Sequence, residues 1–301
     1  MNRAAQPPLP EIDEPLQDSA LLALHWAREL CQPASAGHPG CAWYHGSWQA
    51  LRLFGVFHSI RSDDDFLLPA LQRMIADGAR RILVSGAADY ALLARIAWAA
   101  GEHARELRVT VLDQCATPLR LNAWYGERVG IDVRTMQGNV LELQAPAEYD
   151  LVCTHSFICF FDQADRQRLL RTWWDCLGPG GVVLTAQRAR TADTEPVIRY
   201  SQTEIDELAA RAQALAETRG AGHGFDPQQL RELARGYGCN HWTYLVRTPD
   251  SIRALFQDQG FQLECFSPPG GHQEFVDTPG TPNQGGSVRW RILARKGDGA
   301  N

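Results

Sequence analysis

The chain has little that would tie it to nucleic acid, to a membrane or to a disulfide framework. Lysine and arginine number 29 against 35 aspartate and glutamate, a formal net charge of −6 over 301 residues. Nucleic-acid-binding domains usually carry a basic excess, so no nucleic-acid partner is expected, and small charged or zwitterionic substrates stay open. No apolar run approaches the roughly 18 residues of a membrane span. The opening MNRAAQPPLPEIDEP lacks the apolar core of a secretory signal. The eight cysteines contain no C-x-x-C pair and no Cys/His metal spacing, so no metal is expected and the thiols read as reduced. These absences give the expectation of a cytoplasmic protein with no membrane partner; nothing in the sequence speaks to oligomeric state.

What is present is ordinary in bulk, with 45% hydrophobic and 21% charged residues, and ample for a large core. The informative stretch is RRILVSGAADYALLARIAWAAGEHARELRVTVLDQC, residues 80–115. It reads as an apolar strand ending at Ser85, a small-residue turn Gly86-Ala87-Ala88, a helix, and a second strand ending at Asp113. Such a turn lets backbone pass close under a ligand, and the next helix begins there with unpaired N–H groups. An acid at the tip of the second strand accepts hydrogen bonds from both ribose hydroxyls. Gly86 and Asp113 lie somewhat further apart than the roughly 20 residues of the dinucleotide fingerprint, and of its three glycines only Gly86 is present, with Ala88 and Tyr90 filling positions that would crowd a diphosphate. A nucleoside without a diphosphate needs less clearance, which points to S-adenosylmethionine rather than a nicotinamide or flavin.

Along the chain, residues 1–15 read as a proline-rich disordered tail and 16–78 as an N-terminal helical cap, with Ser62 capping a helix whose first turn holds Asp63, Asp64 and Asp65. Residues 79–301 read as a Rossmann-like domain. Thr117-Pro118 opens a helix, further strands run over 132–136, 149–154 and 182–186, and strand alternates with helix as in a parallel sheet. The rhythm breaks over 190–247, where helices capped by Ser201/Glu204 and Asp226 form an insertion at the ligand-binding edge. The stretch 219–224, with its three glycines, offers a hinge. Strands at 261–266 and 288–294, joined by a Gly/Pro loop, close the chain.

The order of these motifs resembles the class I S-adenosylmethionine-dependent methyltransferase superfamily. The Gly86 turn, Asp113 after VTVL, Gly138-Asn139-Val140 and LRTWWDCLGPGGVVL carry the resemblance over residues 80–186 and 248–296. It implies an α/β fold: a seven-stranded Rossmann-like sheet, mostly parallel with an antiparallel last strand, with N-terminal helices and a helical cap insertion. It also implies S-adenosyl-L-methionine as cofactor, held by Ser85, Gly86, Ala87, Ala88, Asp113, Gln114, Asn139, Val140, His155 and Ser156. Two departures stand out. Val84 occupies the place of the superfamily's usual acid on strand one, and His155-Ser156-Phe157 replaces the D/N-P-P-Y motif used on nucleobase and glutamine nitrogens.

His155, at the end of a central strand, and Tyr44 are the candidates for chemistry. A histidine is well placed as general base near neutral pH, and equally suited to satisfying a backbone group. Asn139 is open to an adenine-binding and a turn-forming role. Trp43, His45, Trp48, Phe157, Phe161 and Tyr200 are the candidate substrate residues, since aromatic faces stabilise a sulfonium by about 0.5–2 kcal/mol each. Arg188 and Arg190 read as a solvated charge run. The expected activity is methyl transfer to a small-molecule metabolite. Two alternatives are a cyclase or lyase that consumes the same cofactor and releases methylthioadenosine with azetidine-2-carboxylate, and a non-catalytic nucleoside-binding scaffold.

Overall fold

The computed structural model describes residues 10–35, 39–57, 59–219, 221–269 and 287–297. Strands β1 (Arg81–Ser85), β2 (Arg108–Asp113), β3 (Asp132–Gln137), β4 (Tyr149–Cys153), β5 (Leu177–Arg190), β8 (Phe261–Ser267) and β9 (Ser287–Lys296) form one sheet in the order β3-β2-β1-β4-β5-β9-β8. The first five pair in parallel and β9 runs antiparallel to both of its neighbours. The central strands read as continuous apolar runs (Ile82-Leu83-Val84, Leu151-Val152-Cys153) because both faces are covered. One face packs α3 (Asp64–Ala76), α4 (Ala91–Ala100) and α5 (Ala116–Val129); the other packs α6 (Gln163–Cys176) and α9 (Pro249–Asp258) around the fully buried Trp173. The Gly/Pro loop before β9 lies outside the described residues.

A third core belongs to the cap. Helices α1 (Leu16–Leu30) and α2 (Ala42–Leu53) join α7 (Gln202–Arg219) and α8 (Pro227–Asn240) through Ala20, Leu51, Phe54, Phe57, Leu208, Ala212, Leu230 and Tyr237. The N-terminal helices and the insertion therefore share one apolar interior. The antiparallel pair β6 (Val197–Arg199) and β7 (Trp242–Tyr244) closes the two ends of that insertion together, a two-strand feature the helical pattern did not reveal. Gly220 of the expected hinge lies outside the described residues.

Local signals for helix starts held where a side-chain cap had no competitor. Asp162, Asp226 and Thr248 each accept a hydrogen bond from the N–H three residues on, and Ser201 and Glu204 bond reciprocally. Ser62 and Thr117 do not act as caps. A 3-10 turn over Ser59–Asp63 precedes α3, and the Ser62 hydroxyl accepts from Arg289 instead. Helix α5 starts two residues early, after Cys115, and the Thr117 hydroxyl sits 3.2 Å from the Cys31 sulfur.

The tail expected to be disordered is anchored at its end. Residues 1–9 lie outside the described residues, but Glu14 pairs with Arg52 and, at 2.8 Å, with Arg95, and the Asp13 carbonyl accepts the Tyr125 hydroxyl. Arg95 is fully buried and grips Asp64 with two bonds of 2.9 and 3.1 Å. Removing one member of a buried ion pair strands the other, at about 3–5 kcal/mol. Arg95→Met is therefore expected to lower the unfolding free energy by about that amount in chemical denaturation, and a change near zero would mean that Asp64 and Glu14 find other partners.

Candidate functional site

The carboxyl ends of β1, β2 and β4 open on a cavity of about 390 Å³, with the cap as its opposite wall. At its floor Gly86 has φ +75°, a left-handed conformation that favours glycine, and its N–H bonds the Leu112 carbonyl at 2.9 Å. A Cβ there would come within 2.3 Å of the Phe157 ring, so this turn needs glycine for clearance as well. Asp113 stands beside it. One carboxylate oxygen accepts the Ala87 N–H at 2.9 Å and the other the Cys115 N–H at 2.8 Å, which leaves further lone pairs on each. Burial pushes the Asp113 carboxyl up, against the pull of the nearby His45 and those two N–H groups.

The cap side is aromatic. Trp43, Tyr44, His45 and Trp48 from α2 meet Phe57 and, from the end of α8, Tyr237 and His241. Tyr44 stacks on Trp48 at 5.5 Å and on Tyr237 at 5.8 Å, and Tyr237 stacks on His241 at 5.0 Å. Burial raises the Tyr44 hydroxyl well above its usual range, so it keeps its proton. Trp48 Nε1, Gln187 Oε1 and His241 Nδ1 line this cavity as buried polar atoms with no protein partner. Such atoms are costly unless something polar meets them.

A third wall is charged. Strand β5 does not stop at Ala186 but continues to Arg190, held by its ladder to β9, and this carries Arg188 and Arg190 inward. The reading of these two as a solvated run is thereby corrected: Arg190 is only 6% exposed, and both line the cavity with Arg289. Burial, with Arg289 and Arg190 nearby, pushes the Arg188 guanidinium down to about 9. Asp63 receives the Nε2 of His155 at 2.9 Å, Arg289 at 2.8 Å and Arg291 at 3.3 Å. Burial opposes its charge, but Arg289 and His155 hold the carboxyl far below its usual range. The Asp63 carboxylate can only accept, so His155 carries its hydrogen on Nε2. Burial lowers the His155 pKa, and Arg289 and Arg188 act the same way against Asp63, so the imidazole is neutral with Nδ1 as its basic atom. Next to it Ser156 has φ +53°, strained for a residue with a Cβ, while its N–H bonds the Ala186 carbonyl at 2.8 Å.

Of the residues singled out by sequence, Trp43, Tyr44, His45, Trp48, Gly86, Ala87, Ala88, Asp113, His155, Ser156 and Phe157 all line this cavity. The others do not. The Ser85 hydroxyl faces the core and accepts from Trp173 Nε1 at 3.0 Å. Gln114 is exposed, and Val140 is buried with Leu83 and Leu112. Asn139 Oδ1 caps the 3-10 turn over Val140–Glu142 by accepting the Leu141 N–H, the turn-forming role. Phe161 packs edge-on against Phe157, and Tyr200 lies behind Tyr237 and His241. Sequence reasoning missed Asp63, Arg289, Tyr237 and His241. Tyr237 and His241 continue the helical spacing of Leu230, Leu233 and Ala234, a signal that was readable; Arg289 sits on a strand whose register only the sheet fixes. The thiols of Cys31, Cys41 and Cys115 also come together here, although no sequence spacing pairs them.

Residues 92–185, from α4 into β5, match the family model described as "Methyltransferase domain". Residues 92–185 are thus similar to a methyltransferase domain, the family whose motifs the sequence resembles. Among solved structures, a geranyl diphosphate methyltransferase bound to S-adenosylmethionine aligns over 92% of this chain and 94% of its own, with TM-score 0.52 and 10% identity. That likeness concerns the fold. The S-adenosylmethionine-dependent methyltransferase SibL is 17% identical over 94% of this chain and 70% of its own (TM-score 0.48), and a putative O-methyltransferase of Nostoc punctiforme is 16% identical over the same shares (TM-score 0.47). No curated protein matches the chain. Among the described residues, no helix is long and apolar enough to cross a membrane.

Two outcomes check this geometry. Gly86→Ala is expected to lower stability by at least about 1 kcal/mol, from the left-handed backbone alone. Adding Phe157→Ala should restore the part due to the clash; a double variant no more stable than Gly86→Ala would mean that Phe157 does not lie on the turn. Burial also lowers His241 from 6.5 to about 4, so the unfolded chain takes up this proton first as pH falls. Wild-type stability should decline between about pH 6.5 and 4 relative to His241→Gln, and parallel pH curves for the two proteins would contradict the burial of a neutral imidazole.

Proposed function

We propose that this cavity holds S-adenosylmethionine between the Gly86–Ala88 turn, Asp113 and the aromatic wall, and that its methyl group passes to a small acceptor bearing an anionic group. The observation that carries the reading is that one cavity joins three walls of different chemistry. The residues fit such a nucleoside: the glycine turn gives backbone clearance, Asp113 has lone pairs for two ribose hydroxyls, and unpaired polar atoms face inward. When bound, S-adenosylmethionine supplies a methyl group already activated by the sulfonium. The stacked Tyr44, Trp48 and Tyr237 exclude water and favour a cation by about 0.5–2 kcal/mol per ring. Arg188 and Arg289 bind and orient the acceptor's anion. His155, held by Asp63, removes the acceptor's proton through Nδ1.

The position of Val84 supports a second reading. It is buried in the sheet and has no carboxylate to offer the cofactor's ammonium. An amine held less firmly as a cation would be freer to attack the methylene beside sulfur, with release of methylthioadenosine. Incubating the protein with S-adenosylmethionine alone, then with small carboxylate-bearing acceptors, and identifying the nucleoside by mass separates the two. Methyl transfer requires S-adenosylhomocysteine to appear only when an acceptor is present. Methylthioadenosine formed without any acceptor would overturn it.

Two substitutions test the assigned roles. Asp113→Ala should weaken cofactor binding tenfold or more, since hydrogen bonds to a charged acceptor contribute about 1.5–3 kcal/mol each. An unchanged dissociation constant would remove Asp113 from the site. His155→Gln should lower turnover about 100-fold with little change in cofactor affinity. Because burial lowers the His155 pKa below 6.5, the wild-type rate should be flat above that value and fall only at lower pH. Wild-type turnover in His155→Gln would leave alignment and desolvation as the whole mechanism.

A further inference from the structure

Three helix ends converge beside the Asp113 turn, and each contributes a cysteine. Cys31 follows the last turn of α1, Cys41 precedes the first turn of α2, and Cys115 precedes the first turn of α5. The Cys115 sulfur lies 3.5 Å from that of Cys31 and 3.6 Å from that of Cys41, and all three sulfurs fall within 4.8 Å of one another. Zinc–sulfur bonds of about 2.3 Å in a tetrahedron set the sulfurs about 3.8 Å apart, so an opening of a few tenths of an ångström would admit the ion. All three are free thiols.

The fourth position of a tetrahedron has a candidate on the same helix as Cys41. His45, one turn further along α2, is 7% exposed and lies near enough to Cys115 to favour its thiolate. Its Nδ1 is buried and has no protein partner. Three thiols and an imidazole make the donor set of a closed structural zinc site, and soft sulfur ligands disfavour magnesium or calcium. Two of the cysteines also stand at helix N-termini, where the dipole favours a thiolate. Cys31, Cys41, His45 and Cys115 are scattered in sequence, so no spacing announces them.

We propose that Cys31, Cys41, Cys115 and His45 bind one zinc ion that clamps the N-terminal cap to the β2–α5 turn. The clamp joins α1 and α2, and hence the aromatic wall, to the strand end that carries Asp113. It is a structural site, independent of whether the cavity transfers a methyl group. The test is the metal content of the full chain, produced with zinc in the medium and purified with a thiol reductant but no chelator. About one zinc per chain is expected by mass spectrometry of the metal. Cys31→Ser and Cys41→Ser should each lose most of it, and Cys239→Ser, at an exposed cysteine outside the cluster, should keep it. Metal-free wild-type protein titrated with cobalt(II) should develop thiolate-to-cobalt absorption, and His45→Ala should release zinc to a chelator at least tenfold faster. Wild-type protein with less than a tenth of an equivalent of zinc and no cobalt–thiolate band would overturn the proposal. So would a Cys31–Cys115 or Cys41–Cys115 disulfide as the state of the purified chain.

Discussion

The run Asp63-Asp64-Asp65 pins the start of α3 to the sheet and to α4 by burying charge. Asp63 reaches His155 and Arg289, Asp64 takes the fork of Arg95 on α4, and Asp65 pairs with Arg291 on β9. Burying carboxylates is expensive, and the arrangement holds only because each finds a cation with good geometry. Substituting Arg95 would leave Asp64 without its cation in a dry interior. The site inherits its shape from this junction: His155 and Arg289 are oriented toward the cavity by one aspartate.

The two long walls of the cavity follow from opposite solutions to the same problem. On the cap side, ring stacks among Tyr44, Trp48, Tyr237 and His241 give an apolar surface whose few polar atoms point inward. On the sheet side, Arg188 is half-buried beside two other arginines, and desolvation together with that crowding lowers its pKa. A ligand with a cationic centre and an anionic end relieves both walls, which is why the proposed reaction pairs a sulfonium with an acceptor carrying an anion.

Much of the sheet was legible because its strands are short, apolar and regularly spaced by helices. Gly86 and Asp113 announce themselves by chemistry at strand ends, and both line the cavity. The aromatic run at Trp43 to Trp48 was visible for the same reason. Features that depend on tertiary register were not. The length of β5 is set by its ladder with β9, so Arg188 and Arg190 passed as a surface run. Ser62 and Thr117 carry strong local cap signals and lose to long-range partners, Arg289 and Cys31. Asp63 looked like a helix-dipole residue and is a buried hub. The thiol cluster joins residues 31, 41 and 115, a proximity no sequence window contains.

A crystal structure of the protein with S-adenosylhomocysteine tests the central claim most directly. The account predicts both ribose hydroxyls on the Asp113 carboxylate, the amino-acid end over the Gly86–Ala88 turn, and the sulfur facing Tyr44, Trp48 and Tyr237. A nucleoside bound elsewhere, or this cavity left without it at saturating ligand, would contradict it.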